Sequence, residues 1–330
     1  MAPEIVPFDG SKDAYRRRVA LLKEAQPDEP WSVEGERAAD EADAAAGRPG
    51  GAFLAAVDGE CLGFARFRAD PEDPTPGRRR LWVAVAHRAR RRGVGTALLD
   101  AVGRAAAAQG AAEFLVSTSL AEPDGLAFAL ARGFAEVGGE VELHLDLCSF
   151  EAARFPAHSR VPGLHLDSLA SLLLRDQGWC ERYYCLYASL GAGVLWDRGG
   201  APPDPEAFRR FHVEAPGLLD EGTAVAVVDG EWVGLCELRR SGDDTATAYQ
   251  ELTGVLPAHR RQGIGRALVC AAAGWARRGG YHRLLTSTGV RNEAMQALAS
   301  RLGFRVAGRW SYLVGAVSRL RVPSGQEVGR

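Results

Sequence analysis

The sequence predicts an α/β (α+β) protein built as two copies of one domain, and three observations predict it. A segment around Gly93, VAVAHRARRRGVGTALL, returns around Gly263 as TGVLPAHRRQGIGRALV. A Gly-Phe pair further on returns with the same offset, since Gly133 and Gly303 lie 170 residues apart, as do Gly93 and Gly263. A chance motif would not carry a distant partner along with it. Finally, 330 residues are long for one core and comfortable for two domains of about 150 to 170 residues.

Taken in order, Lys12 to Leu22 reads as a helix, and the Ala/Glu/Asp-rich stretch from Ser32 to Ala46 as a second one ended by GRPGG. The period then changes. AFLAAVDGECLGFARFR has two apolar runs around Asp58-Gly59, a hairpin signal, and the second copy repeats it as TAVAVVDGEWVGLCELRR around Asp229-Gly230. A polar excursion follows in each copy, PEDPTPGRRR and SGDDTATA, before the strand that enters the glycine motif. Helices are expected over Thr96 to Gln109 and Arg266 to Arg278, with Gly110 and Gly279 as C-terminal caps. EFLVST and HRLLTST read as strands, a last helix closes before each Gly-Phe pair, and EVELHLDL and RWSYLVGAV read as one or two final strands. The two prolines of FPAHSRVPG place the boundary near 150 to 160, giving domains 1–152 and 160–330. Between Gln177 and Phe211 the second copy is richer in aromatics (Trp179, Tyr183, Tyr184, Tyr187, Trp196), which reads as core packing or as one wall of a substrate cleft.

Composition narrows the function. With 46% hydrophobic residues, 25% charged and a formal net charge of -2, the chain is ordinary for a globular protein, and it lacks the sustained positive field that nucleic-acid binding needs. Six cysteines are scattered without a C-x-x-C pair, so no metal site is expected. The first residues carry no apolar signal region and no run reaches about 18 apolar residues, so no membrane partner and a cytoplasmic location are expected.

The chemistry lies in the repeated Arg-x-x-Gly-x-Gly element at a strand-to-helix junction. The first turn of a helix has unpaired backbone N-H groups and a partial positive charge, so it welcomes an anion. Glycines remove the Cβ atoms that would hold a diphosphate away from those amides, and arginine adds charge-assisted hydrogen bonds. The chain contains no GxxxxGK[ST], no dinucleotide fingerprint and no kinase signature.

What remains resembles the signature of the GNAT superfamily of acetyl-coenzyme A dependent acetyltransferases, over nearly the whole chain. Two copies resemble tandem-domain GNAT proteins such as mycothiol synthase. The resemblance implies two GNAT-like domains, each a mixed, mostly antiparallel sheet flanked by helices, and acetyl-CoA as cofactor. It places the coenzyme diphosphate on Arg260, Arg261, Gln262, Gly263, Ile264, Gly265 and Arg266, and on Arg90, Arg91, Arg92, Gly93, Val94, Gly95 and Thr96. The preceding strand, ending at Gly254-Val255 or Ala84-Val85, would pair with the pantetheine arm, and Asn292 matches an asparagine frequent near the coenzyme.

Acyl transfer to an amine needs a base, donors for the oxyanion and an acid for the leaving thiolate. The Val255 amide can be the donor. Alternation puts Tyr249, Glu251 and Thr253 on one face, and since GNAT relatives often use a glutamate on this strand the resemblance implies Glu251 as the candidate base, while the first copy offers Arg79, Leu81 and Val83. The tyrosine that relatives use as the acid is replaced by Ala129 and Ala299, leaving Tyr281, His282, Tyr312 or water. His87 and His259, inside the loop, suit contact with coenzyme or solvent. The second copy is therefore expected to catalyse N-acetylation of a small-molecule amine, such as an aminosugar, antibiotic or metabolite. The alternatives are a coenzyme-binding pseudoenzyme or a protein lysine or N-terminal acetyltransferase. Two fused copies are compatible with a monomer or a homodimer.

Overall fold

A computed structural model describes residues 3–26, 31–70, 75–155, 161–191, 202, 204–214, 217–241 and 244–320. In the first repeat the chain forms β1 (Glu4–Pro7), α1 (Lys12–Ala25), α2 (Val33–Ala45), β2 (Gly50–Val57), β3 (Glu60–Arg68), β4 (Arg78–Val85), α3 (Val94–Ala108), β5 (Glu113–Ser119), α4 (Pro123–Leu130) and β6 (Ala135–Asp146). The second repeat forms β7 (Leu164–Ser168), α5 (Leu169–Arg175), α6 (Trp179–Gly191), α7 (Pro205–Phe208), β8 (Ala224–Val228), β9 (Glu231–Ser241), β10 (Asp244–Val255), α8 (Ile264–Arg278), β11 (Arg283–Gly289), α9 (Glu293–Leu302) and β12 (Arg305–Ala316). Parts of the polar excursions, of the stretch holding Trp196 and of the proline-bearing linker fall outside the described residues.

Local chemistry explains the boundaries. Ser11 and Ser32 cap α1 and α2, their hydroxyls accepting from the amides of Ala14 and Gly35. Both Asp-Gly hairpins have two consecutive positive φ angles, 51° and 81° at Asp58-Gly59 and 50° and 86° at Asp229-Gly230, as a type I′ turn requires. The left-handed residues that stop the long helices are Gly110 and Gly280, so the second stop lies one residue beyond the expected Gly279, whose φ is -75°.

Packing divides the chain into two compact units, 1–137 with 311–330, and 138–310. The repeat in sequence and the unit in packing are thus different divisions of the chain: the closing strand of each repeat ends in the unit of the other. Within unit 1 the strand order is β1-β2-β3-β4-β5-β12, and within unit 2 it is β6-β11-β10-β9-β8-β7. Each sheet is mixed, with β4–β5 and β10–β11 parallel and the other paired registers antiparallel.

The exchanged strands are core elements. Leu313, Val317 and Leu320 lie in the apolar core of unit 1 with Leu98, Val102 and Phe114, and the Val317 amide donates to Ala112 O at 2.9 Å. Val141, Leu143 and Leu145 lie in the core of unit 2 with Leu268, Ala272 and Leu284. We call the face covered by α3 or α8 the back and the opposite face the front. On the front of unit 2, α6 buries Tyr183, Leu186, Tyr187 and Leu190 against Leu235 and Leu252.

Candidate functional site

In each unit the parallel strand pair opens. Pairing of β4 with β5 runs from Arg78↔Glu113 to Arg80↔Leu115, yet β4 continues to Val85. Pairing of β10 with β11 runs from Thr247↔Arg283 to Tyr249↔Leu285, yet β10 continues to Val255. The Leu256 amide donates to Val233 O on β9 at 2.8 Å, and the Ala86 amide to Leu62 O on β3 at 3.0 Å. Alternation along a strand then turns the amides of Val255 and Val85 towards the open side. Arg260 Nε donates to Val255 O at 2.8 Å, tying the loop arginine to the same opening, and Arg90 Nε stands 3.4 Å from Val85 O.

The glycine loops have one geometry. Arg91 and Gly93 have φ of 62° and 83°, and Arg261 and Gly263 have 65° and 86°. Left-handed residues alternating along a loop gather successive N-H groups into an anion-binding concavity. Gly93 and Gly263 are the N-caps of α3 and α8, and the first amides to return to them are those of Ala97 and Ala267, so the amides of residues 94–96 and 264–266 have no partner within their helices. A Cβ added at Gly93 or Gly263 would meet nothing within 4 Å, which makes this a cradle with room for a diphosphate. The second glycines serve packing, with Gly95 against Phe128 and Gly265 against Leu298.

The two openings differ on the front. In unit 2 the β10 register shifts by one residue between Gln250 and Thr253, so Glu251 and Leu252 together face the single β9 residue Glu237. In unit 1 β3 and β4 pair without a shift from Gly63↔Val85 to Arg68↔Arg80. The bulge breaks the alternation expected from sequence: Thr253 Oγ1 bonds Cys236 Sγ in the back core, whereas Tyr249 Oη lies 3.1 Å from Ser287 Oγ and a Cβ on Gly254 would press on Leu190 of α6. Glu251 is exposed at the bulge, and its charge reaches the Tyr249 phenol, as do those of Glu140 and Glu142. Burial is the main cause that pushes that phenol above its ordinary value. Both fronts are covered next to the strand end: in unit 1 Trp82 of β4 stacks on Trp31 at 5.3 Å and Ala84 packs on Leu22 and Ala25 of α1, and in unit 2 Leu190 of α6 packs on Leu235 and Leu252.

A profile of the acetyltransferase (GNAT) family matches residues 18–134 and 194–304. The chain belongs to the GNAT family. It is similar to a tandem GNAT protein from the clavulanic acid biosynthesis pathway, solved without AcCoA, at 20% identity and TM-score 0.69 over 96% of this chain and 98% of that one. It is also similar to a GCN5-related N-acetyltransferase from Sphaerobacter thermophilus, at 17% identity and TM-score 0.72 over 96% and 97% of the two chains. No curated protein matches it in sequence. It is a two-domain GNAT acyltransferase, of a family that generally uses acetyl-CoA, and among its described residues no helix is long and apolar enough to cross a membrane.

Against this GNAT frame the expected site residues separate. Gly254, Val255, Arg260 to Arg266 and Glu251 come together at the opening of unit 2, and Ala84, Val85 and Arg90 to Thr96 at that of unit 1. Asn292 is the N-cap of α9, its Oδ1 accepting from the Met295 amide at 3.2 Å. Tyr281 precedes β11 at the end remote from the opening and packs on Trp275 at 6.2 Å, so the structure does not bring it to the Val255 amide. Tyr312 belongs to unit 1, because β12 is exchanged. Ala129 and Ala299 are buried, and neither can donate a proton.

Sequence reasoning missed a cluster beside the bulge. Glu237 is wholly buried, and its carboxylate accepts from Tyr183 Oη at 2.5 Å and Arg239 Nε at 2.7 Å, with His212 Nε2 at 2.8 Å. Burial alone would raise this carboxyl, but His212, Arg239 and Tyr183 together hold it below its ordinary value. Burial, reinforced by the Glu237 charge, pushes the Tyr183 phenol well up, which keeps it a donor. A signal was present: Glu237 is the one charged residue within the apolar run of its strand, WVGLCEL.

Proposed function

We propose that unit 2 moves an acetyl group from acetyl-CoA to a primary amine of a small molecule. The single observation that carries this reading is the adjacency of two features: an amide of Val255 aimed into a strand opening, and an anion cradle at Gly263 at the head of the next helix. The cradle suits the diphosphate of acetyl-CoA, the opening suits its extended arm, and the Val255 N-H is the donor for charge that develops on the thioester oxygen.

The amine approaches from the front, where the bulge exposes Glu251. Two groups there can take its proton, the Glu251 carboxylate and the His212 imidazole. Unit 1 has the same cradle and the same opening, so we infer that it also holds acetyl-CoA. The carboxylate on its front, Asp40, is already held by Arg18, Arg66 and Tyr15, which supports a role without transfer.

The test is release of CoA thiol from acetyl-CoA in the presence of spermidine, glucosamine or benzylamine. The expected result is amine-dependent release that Gly263→Glu, which fills the cradle with a carboxylate, lowers by at least about 100-fold, the scale of losing a main transition-state donor site. Release unchanged in that variant would contradict the reading.

A further inference from the structure

The carboxylate–imidazole pair of Glu237 and His212 has the form of a proton-accepting device. His212 sits in a π-helical turn, Arg209–Val213, which follows α7 and in which the Glu214 amide donates to Arg209 O at 2.9 Å. Such widened turns cost backbone regularity and recur at functional sites. The ring is fixed on three sides, stacked on Phe208 at 4.8 Å, 4.3 Å from the Tyr187 ring and 6.2 Å from the Tyr183 ring. Arg239 binds Glu237 through Nε and the His212 carbonyl through its terminal nitrogen at 2.5 Å, so strand and turn are fastened together.

When the imidazole is neutral, Nε2–H donating to Glu237 leaves the lone pair on Nδ1, which has no partner among the described residues. A carboxylate that selects the tautomer of an imidazole is the arrangement by which proton acceptors are oriented in acyl-transfer sites on unrelated folds.

The position suits the reaction. Glu237 is the residue opposite the Glu251–Leu252 bulge, and Leu235, two residues along β9, pairs with Gly254. Val255 itself pairs with Gly234, three residues from Glu237, so at about 3.3 Å per residue the pair lies roughly 10 Å along the strand from the Val255 level. Leu235 and Leu252 lie on the front between the two levels, and the His212 side chain is 16% exposed. Unit 1 carries a different polar network, Arg18 of α1, Asp40 of α2 and Arg66 of β3, in which Asp40 accepts from Arg18 and Arg66 at 2.6 Å each and from Tyr15 Oη at 3.1 Å.

We propose that His212 is the proton acceptor for the amine in unit 2, with Glu237 as its positioning residue. This rests on the transfer reading above. An ammonium substrate gives one proton through water to Nδ1, forming an imidazolium, and its freed lone pair attacks the acetyl carbon. The C–N bond forms as the C–S bond breaks, the second amine proton goes to the departing sulfur, and the imidazolium returns its proton to solvent. Glu251, exposed at the bulge, meets the ammonium as a charge partner.

The charged and titratable groups around the ring are Glu237 and Arg239 from β9, Tyr183 and Tyr187 from α6, and Arg209, Arg210 and Glu214 from its own segment. The test uses the full chain and the pH profile of kcat/KM with spermidine, glucosamine and benzylamine as probes, with acetyl-CoA affinity followed by calorimetry. The wild type is expected to show a rising limb. His212→Gln is expected to lower kcat/KM by about 100-fold or more and to remove the limb, with acetyl-CoA affinity retained. Glu237→Gln is expected to move the limb and to lower kcat more than it raises KM. A His212→Gln enzyme within about threefold of wild type with its limb intact, while Glu251→Gln loses the limb, overturns the proposal and leaves the transfer reading standing. If His212→Gln fails to bind acetyl-CoA, an unmoved limb in Glu237→Gln overturns the proposal instead. Wild-type protein that binds acetyl-CoA and acetylates none of the probes, or binds none, overturns both.

Discussion

The two openings were built from one plan and differ where chemistry needs them to. Their cradles match to within a few degrees at the left-handed positions, 62° and 83° against 65° and 86°. Their fronts do not match. β4 is regular and places Trp82 on Trp31, behind which Arg18, Asp40 and Arg66 form a closed network. β10 carries one extra residue, which pushes Glu251 outward and sets a buried glutamate with a histidine behind it. The lesson is that the loop geometry is a backbone property and survives side-chain change, whereas the front depends on a single inserted residue and on the side chains around it.

The comparison can be broken first at the front of unit 1. Arg18→Ala leaves Asp40 without its wholly buried partner and also loses the contact of the guanidinium with the Phe64 ring at 4.5 Å. Breaking a buried pair by removing one partner costs about 3–5 kcal/mol, so calorimetry should show a large fall in the melting temperature of unit 1. A shift of less than about 1 kcal/mol would mean that the network is solvated and the front open.

The exchange of final strands gives the next effect. Leu313→Ala removes a fully buried side chain from the core of unit 1 although it lies in the second repeat, and should cost about 2–5 kcal/mol there. Leu98→Ala and Leu268→Ala, buried in units 1 and 2, identify which thermal transition belongs to which unit. If Leu313→Ala lowers the transition that Leu268→Ala lowers, the units follow the repeats.

Acid sharpens the description of unit 2. The folded Glu237 carboxyl lies below its ordinary value, so its contribution to stability is complete above that value and is lost as pH falls through the lowered one. Wild type should therefore lose more stability than Glu237→Gln between pH 6 and pH 3, read from urea midpoints. Equal losses would show that the carboxylate has no net partner. The smallest effect concerns Asn292. As an N-cap its replacement by alanine should cost about 1 kcal/mol and leave acetyl-CoA affinity unchanged, whereas a coenzyme ligand would lower the affinity.

Much of this was legible in the chain. The Asp-Gly turns and the glycine loops are local, because each is dictated by the conformational freedom of one or two residues, and the hairpin at Asp58-Gly59 and the strand-to-helix loop at Gly263 were legible in the sequence. The front of unit 2 was not legible by alternation, since a bulge at Glu251–Leu252 has no signature beyond one extra residue, and it reversed the face assigned to Thr253. The exchange of β6 and β12 was hidden for a related reason. Each edge strand, β5 or β11, takes the closing strand of the other repeat, a choice made by tertiary packing that moves Tyr312 out of the unit in which sequence order would place it. The Glu237 cluster joins residues 183, 212, 237 and 239 across three elements, and no spacing rule links them.

The central claim, a diphosphate cradle at each glycine loop with transfer at one, is tested most directly by calorimetric titration of the full chain with acetyl-CoA. Two equivalents are predicted for the wild type, one for Gly93→Glu and one for Gly263→Glu, with amine-dependent release of thiol lost in the second variant. Absence of binding to the wild type, or two equivalents remaining in Gly263→Glu, would contradict the account.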